Sequence, residues 1–263
     1  MNNKAIGVFD SGLGGLTAVR ELMEVLPGED IVYFGDTGRV PYGSRSEETI
    51  IKYTMQDIRF LKSFDIKIII CACGTASSVA LPHIQSEIPV IGVVKSAVQA
   101  AAKVTKNGRI GIIGTEGTIR SGAYEKLLHN AGLHAQSVSC PMFVPLVENG
   151  YAQSEAARLI ARDYLGQFKE IDTLILGCTH YPLLKKIIGE IMGDGVTLID
   201  SGAECARRVQ GFLTDSEQKC RESKKPEYRY YVSDSVENFS RLGGLFLNRD
   251  IQGHVEKVDI ERF

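Results

Sequence analysis

Cys73, in Cys71-Ala-Cys-Gly-Thr-Ala-Ser77, and Cys178, in Gly177-Cys-Thr-His-Tyr-Pro182, are the residues of this chain best placed to do chemistry. Each follows a short apolar run of β type, Ile68-Ile70 before the first and Leu174-Leu176 before the second. Each also has a threonine close behind, Thr75 and Thr179. The pattern is one design used twice, a thiol at the exit of a buried strand. A cysteine carries a proton as thiol and accepts one as thiolate. Two matched carriers in one chain imply proton exchange on both faces of a single atom. That is the chemistry of a racemase or epimerase that uses no cofactor.

Other residues are weighed against plainer roles. Asp10-Ser-Gly-Leu-Gly-Gly15 follows an apolar run and opens a helix, but its spacing is neither the dinucleotide fingerprint nor a lysine phosphate loop. It reads as a tight turn that needs glycines, or as a helix start that holds an anionic group. Asp10 is the cap of that helix or a catalytic carboxylate. Cys71-x-Cys73 has the wrong spacing for a redox pair, and the set Cys73, Cys178 and His180 is a minor possibility for zinc. Cys71, Cys140, Cys205 and Cys220 are read as small buried or incidental residues. His180 is either a capping residue or a partner that tunes Cys178, and Glu148, in an apolar-rich stretch, belongs to the same neighbourhood. Val40-Pro-Tyr-Gly43 is a turn by composition whose backbone amides and Tyr42 hydroxyl could serve a ligand.

The elements that must position these groups repeat. Ile6-Gly-Val-Phe-Asp-Ser11 returns as Ile110-Gly-Ile-Ile-Gly-Thr115, 104 residues on; the cysteines lie 105 apart, and Val90-Ile-Gly-Val93 and Thr197-Leu-Ile-Asp200 lie 107 apart. Three landmarks in one order at near-constant spacing argue for two similar α/β halves. Strands are expected at Ala5-Phe9, Ile31-Phe34, Ile66-Cys71, Val90-Val94, Ile110-Ile113, Leu133-Val138, Thr173-Leu176, Val196-Ile199 and Tyr228-Val232. Helix-length segments such as Leu16-Leu26, Glu47-Phe64, Ser121-Asn130 and Ala152-Phe168 separate them, the alternation of a parallel sheet. Met55, Ile58, Leu61 and Phe64 are read as the apolar stripe of a helix covering that sheet.

Thr214-Glu227, with Lys224-Lys225-Pro226, is polar and charged and reads as an exposed loop, after which the tail returns to the first half. The expected lobes are 1–96 plus 209–263, and 97–208, each a mainly parallel sheet flanked by helices, with the active site in the cleft between them. Parallel sheets bind at the carboxyl ends of their strands, where Asp10, Asp36, Cys73 and Cys178 all fall.

The 263 residues carry a formal charge of −2 and 44% apolar residues. No electrostatic footprint for nucleic acid and no membrane-spanning run results. The start leads straight into a strand, leaving no room for a secretory signal, and six cysteines without one read as reduced cytosolic thiols.

At these residues the chain resembles the aspartate/glutamate racemase family, and glutamate racemases within it. The motifs are Asp10-Ser-Gly-Leu-Gly-Gly15, Gly35-Asp36, Pro41-Tyr-Gly43, Cys73-x-Thr75, Gly114-Thr115 with Thr118, Val144-Pro-Leu-Val-Glu148 and Gly177-Cys-Thr-His-Tyr-Pro182. The resemblance implies two pseudo-symmetric lobes, usually a cytoplasmic homodimer, and cofactor-independent interconversion of L- and D-glutamate for peptidoglycan. By the same resemblance Cys73 deprotonates D-glutamate and Cys178 L-glutamate, tuned by Asp10 on one side and His180 with Glu148 on the other. Asp10, Ser11, Pro41, Tyr42, Gly43, Gly74, Thr75, Thr118, Thr179 and His180 would hold the substrate. The family's first motif usually reads Cys-Asn-Thr, so Gly74 removes a side-chain contact and leaves a freer loop. An aspartate racemase would carry Glu where this chain has His180. A two-lobed binding protein without turnover would have no use for matched thiols, and a metal-dependent hydrolase or isomerase would need ligands that the sequence does not clearly supply.

Overall fold

A computed structural model describes residues 2–220, 225–251 and 253–263. The first part of the chain runs β1 (Ala5–Asp10), α1 (Leu16–Val25), β2 (Ile31–Gly35), α2 (Glu47–Lys62), β3 (Ile66–Cys71), α3 (Gly74–Val79) and β4 (Val90–Gly92). Next come α4 (Val93–Val104), β5 (Arg109–Gly114), α5 (Glu116–Arg120), α6 (Ala123–Asn130), β6 (His134–Ser139), α7 (Phe143–Glu148) and α8 (Glu155–Leu165). The rest is β7 (Thr173–Leu176), α9 (Lys185–Met192), β8 (Thr197–Asp200), α10 (Ser201–Asp215), β9 (Tyr228–Val232), α11 (Val236–Leu247) and β10 (Val255–Lys257).

The strands form two parallel sheets, one ordered β10-β9-β2-β1-β3-β4 and the other β6-β5-β7-β8. Strip β9 and β10 from the first and the two windings coincide: a first strand between a second and a third, with a fourth outside the third. The sequence repeat is therefore a repeat of topology. The tail extends the first sheet, with β9 pairing β2 from Ile31↔Tyr228 and β10 pairing β9.

Both faces of the central strands are covered, which is why they read as unbroken apolar runs rather than alternating ones. In β1, Ile6 and Val8 pack in one core with α1 and α10, while Ala5 and Phe9 pack in another with α2. Ile6, Val8 and Phe9 each contribute about 1.5–3 kcal/mol on burial. On the second sheet Ile110, Ile112 and Ile175 pack with Val94, Ala97 and Val98 of α4. α10 packs against both α1 and α4.

Several expectations shift at the element level. α2 is capped by Ser46, whose Oγ accepts from the Thr49 amide at 3.3 Å, and it buries Ile50, Asp57, Ile58 and Leu61. Met55, read into the same stripe, is 44% exposed. At about 100° per residue, steps of three drift backwards by about 60° each, so a stripe spaced only by threes leaves the buried face. The run Val90–Val94 reads as one strand, yet β4 stops at Gly92 and α4 starts at Val93. The Ser77 hydroxyl accepts from the Val94 amide at 3.3 Å and supplies the cap that α4 lacks in its own sequence. Ser121–Asn130 is broken at Gly122, whose φ of 64° separates α5 from α6. α10 continues to Asp215, so the polar segment begins later than Thr214, and residues 221–224, including Lys224, lie outside those described. α4 runs through the expected boundary at 96/97 and α10 through that at 208/209. Among the described residues no helix is long and apolar enough to cross a membrane.

Candidate active site

The loops at the carboxyl ends of β1, β3, β5 and β7 enclose a cavity of about 390 Å³. Cys73 enters it from the first sheet and Cys178 from the second, each two residues beyond its strand and each nearly buried. Ser11, Pro41, Tyr42, Gly43, Gly74, Thr75, Thr118, Glu148, Thr179 and His180 also line it.

Cys73 is the N-cap of α3. Its Sγ lies 3.4 Å from the Ala76 amide, which donates to it, and 3.4 Å from the Ser11 hydroxyl. Burial, reinforced by the charge of Asp10, pushes its thiol up to about 12 against those two hydrogen bonds. Asp10 itself ends β1 behind the cavity wall, is 1% exposed, and is not among the lining residues. Its Oδ2 accepts from the Gly12 amide at 3.0 Å, while Oδ1 is buried with no hydrogen-bond partner among the described residues. Burial raises the Asp10 carboxyl, opposed by His180 and by the amides of Gly15, Gly12 and Ser11.

On the other side the Cys178 Sγ lies 3.9 Å from His180 Nδ1, and His180 Nε2 lies 2.9 Å from the Glu148 carboxylate at the end of α7. Burial pulls the imidazole down, but the hydrogen bonds and charges of Cys178 and Glu148 outweigh it and push His180 up to about 10. Phe246 of α11 meets the imidazole edge-on, with centroids 5.3 Å apart. The two thiols therefore sit in different electrostatic settings, one beside a buried carboxyl and one beside an imidazole that favours its charged form.

Three threonines cross the cleft. Thr75 of α3 lies 2.9 Å from the Thr115 hydroxyl and 3.3 Å from that of Thr118, and those two are 2.9 Å apart. No lysine or arginine lines the cavity among the described residues. A bound carboxylate would meet hydroxyls and backbone amides instead.

Three readings change. The Tyr42 hydroxyl does not face a ligand: the side chain is 1% exposed and its oxygen lies between the carboxylates of Asp36 and Asp57. Tyr42 offers the cavity its backbone. Asp36 stands at a strand end but turns away, held by Arg39 at 2.7 Å and by the Ser233 hydroxyl at 2.8 Å. The glycine-rich turn after β1 makes room for the second thiol loop, because a Cβ on Gly14 would lie 2.1 Å from the Thr179 hydroxyl and 2.5 Å from His180 Nδ1. Thr17 ties the same two loops by donating to the Thr179 carbonyl at 2.9 Å.

Sequence reasoning passed over Ser44, Glu116 and Pro141, which also line the cavity. Ser44 and Glu116 directly follow quoted motifs, and Pro141 lies just past the carboxyl end of β6, where a strand-end rule would have found it. Among the described residues no group of three or more His, Cys, Asp or Glu is gathered as a metal ion would require.

Two halves of one α/β winding, each presenting a strand-end thiol to a shared cavity, define the class to which this chain is to be compared. The sequence model of the Asp/Glu/Hydantoin racemase family matches residues 17–209, and the chain belongs to that family. It is 48% identical over 264 residues to a glutamate racemase of Geobacter metallireducens, covering 98% of this chain and 97% of that one. A glutamate racemase isoform of Bacillus anthracis superposes with a TM-score of 0.94 at 39% identity over 98% of each chain. A glutamate racemase of Francisella tularensis, solved in complex with D-glutamate, superposes at 0.92 with 38% identity over 100% of each.

Proposed function

We propose that this protein interconverts L- and D-glutamate by moving protons between its two thiols and the substrate α-carbon. The observation that carries this reading is the arrival of one thiol from each half of the repeat at one cavity. The full-length likeness to glutamate racemases, one of them solved with D-glutamate, supports glutamate as the substrate.

Removing the α-proton of an amino acid without an electron sink creates a poorly delocalised carbanion, so placement and a dry, hydrogen-bonding pocket must lower the barrier. In our reading Cys178, as thiolate, takes the α-proton of L-glutamate while the Cys73 thiol gives a proton to the opposite face. For D-glutamate the roles reverse, and the thiolate ends each turnover on the other side. His180, held by Glu148, presents its positive charge to the Cys178 side of the cavity, 3.9 Å from the sulfur. Asp10 acts on Cys73 through its charge, from behind the wall. Ser11, Gly74, Thr75, Thr118, Thr179 and the backbone of Pro41-Tyr42-Gly43 hold the substrate carboxylates. The lobes are taken as 1–96 plus 209–263 and 97–208, with α4 and α10 as the crossings. The D-glutamate would supply peptidoglycan synthesis in a reducing cytoplasm, and the working form would be a homodimer.

The test is proton NMR of L-glutamate, with L-aspartate in parallel, in deuterated water with the reduced protein. Loss of the glutamate α-proton signal together with decay of optical rotation is expected. Loss with aspartate alone would overturn the substrate, and no loss with either would overturn the reaction. Cys73→Ala and Cys178→Ala should each lower the rate by about 10²–10⁴-fold. Cys140→Ala, which removes a buried thiol that donates to the Val138 carbonyl, should leave it intact.

A further inference from the structure

The turn that carries the second thiol is short of one hydrogen-bond donor. In Cys178-Thr-His-Tyr-Pro-Leu183 the carbonyls accept from amides three residues on, Cys178 from Tyr181 and His180 from Leu183, each at 3.1 Å. The same step would give the Thr179 carbonyl the amide of residue 182. That residue is proline, which has no N–H to offer. The donor comes instead from across the cleft. Thr17, in α1, is 1% exposed, and its hydroxyl lies 2.9 Å from the Thr179 carbonyl and 2.9 Å from that of Gly14. The Gly14 carbonyl already accepts from the Thr17 amide at 3.0 Å, so the hydroxyl proton is left for Thr179. The other half of the repeat is built differently. Ser121 stands 104 residues after Thr17, and its hydroxyl donates to the carbonyl of Thr118, the counterpart of Gly14, at 2.6 Å. The Gly74 carbonyl, which follows Cys73 as Thr179 follows Cys178, accepts from the Ser78 hydroxyl of its own helix at 2.7 Å. The carbonyl after the first thiol is thus satisfied from within its helix, and that after the second from the opposite half.

We infer that Thr17 is a positioning residue for the second thiol: its hydroxyl stands in for the amide that Pro182 lacks and ties the Cys178-Thr179-His180 turn to α1 of the other half. The bond fixes the peptide plane between Thr179 and His180, the residue whose Nδ1 lies 3.9 Å from the Cys178 sulfur. Gly14 has no side chain where the two loops meet, and that close approach is what brings the hydroxyl within reach. Without the hydroxyl the Thr179 carbonyl loses its donor, and the turn gains freedom to open locally. Thr17 is not among the residues that line the cavity, so its contribution is placement. A substrate carbon held between an acid and a base reacts far more slowly when one of the two is displaced.

The kinetic arm of this inference rests on the racemase reading; its labelling arm does not. Thr17→Val keeps the branched shape and removes the donor, whereas Thr17→Ser keeps the donor. Each is compared with wild type in kcat and KM for both glutamate enantiomers. Alkylation of Cys178 by iodoacetamide is followed in a Cys73→Ser background, and that of Cys73 in a Cys178→Ser background. For Thr17→Val the expected result is a kcat lower by about tenfold, with a smaller change in KM. Alkylation of Cys178 should be faster by about fivefold, the weight of one hydrogen bond, with Cys73 unchanged. Thr17→Ser should stay close to wild type in both. Pro182→Ala returns an amide to the turn, so adding it to Thr17→Val should recover most of the lost rate and the wild-type labelling. Cys178 labelling at the wild-type rate in Thr17→Val would overturn the inference. So would a double variant no different from Thr17→Val alone. Equal acceleration at both thiols, or losses in Thr17→Ser as large as in Thr17→Val, would also overturn it, by making Thr17 a packing residue. If wild type itself does not racemise glutamate, the functional reading fails, and the labelling comparison still decides the role of Thr17.

Discussion

Burial raises both Asp10 and Cys73, and the charge of Asp10 adds to the cost of ionising the Cys73 thiol. Replacing Asp10 by Asn removes the charge and keeps the shape. With burial remaining as the larger influence, the Cys73 thiol should fall from about 12 while staying above the ordinary thiol range. Iodoacetamide alkylation of Cys73, followed between pH 8 and 11 in a Cys178→Ser background, should then shift to lower pH, about tenfold faster for each unit gained. An unmoved alkylation profile would show that Asp10 does not act on Cys73. The His180 side runs in the opposite direction. Its imidazole, raised to about 10, keeps its charge through neutral pH and loses it as pH climbs through that value. Glu148→Gln removes one of the groups that hold the proton there. The alkaline limb of kcat/KM for L-glutamate should therefore move to lower pH by about one unit or more, with acid-side behaviour unchanged. A limb that stays in place would show that Glu148 does not hold the His180 proton.

The wall from Val40 to Ser44 owes its shape to residues that never see the cavity. Arg39 is held by Asp36 at 2.7 Å, Asp57 at 3.1 Å and Gln56 at 2.6 Å, reaches Glu261 at 3.2 Å, and stacks 4.1 Å over the Tyr53 ring. Burial raises the Asp57 carboxyl well above its ordinary range, with the neighbouring Asp36 adding to the effect. Arg39→Ala would leave two fully buried carboxyls without their cation, a loss of about 3–5 kcal/mol. It would also release the loop, so urea unfolding should show the lost stability and the KM for glutamate should rise. Lost stability with KM unchanged would show that the wall does not depend on this anchor. Little of this network was legible in the sequence. Tyr42 and Asp36 are visible in the sequence as residues next to a turn, but whether the hydroxyl faces a ligand or a carboxylate depends on Asp57, which α2 supplies. The central strands and both cysteines were legible because a buried parallel strand and its exit leave a local imprint. Val93 and Val94 were misread because an apolar β-branched run fits a strand or a buried helix equally well. β10 escaped because three residues carry no period.

The whole molecule divides its tasks between the two ends of its sheets. The carboxyl ends of the strands hold the cavity, whereas the amino end of the first sheet holds an ion pair between Lys67 and Glu29, both nearly fully buried. The Lys67 ammonium also donates to the Asn2 and Gln218 carbonyls at 2.9 Å each, and the Glu29 carboxylate accepts from the Cys220 amide at 2.8 Å. One cation thus gathers the start of the chain, the approach to β2, strand β3 and the segment after α10, where the second half hands the chain back to the first. Lys67→Met would leave Glu29 buried without a cation and two carbonyls without a donor. Stability should fall by about 3–5 kcal/mol, measured by urea unfolding. Because these groups sit at the end of the strands opposite the thiols, kcat at saturating glutamate should stay within about twofold under native conditions, as expected for groups that make no contact in the transition state. Adding Glu29→Leu to Lys67→Met should restore much of the stability, since an apolar pair of similar volume is often neutral against a buried ion pair. A large fall in kcat for Lys67→Met, with the fold intact, would mean that the amino end of the sheet is coupled to the cleft and that the division of tasks does not hold.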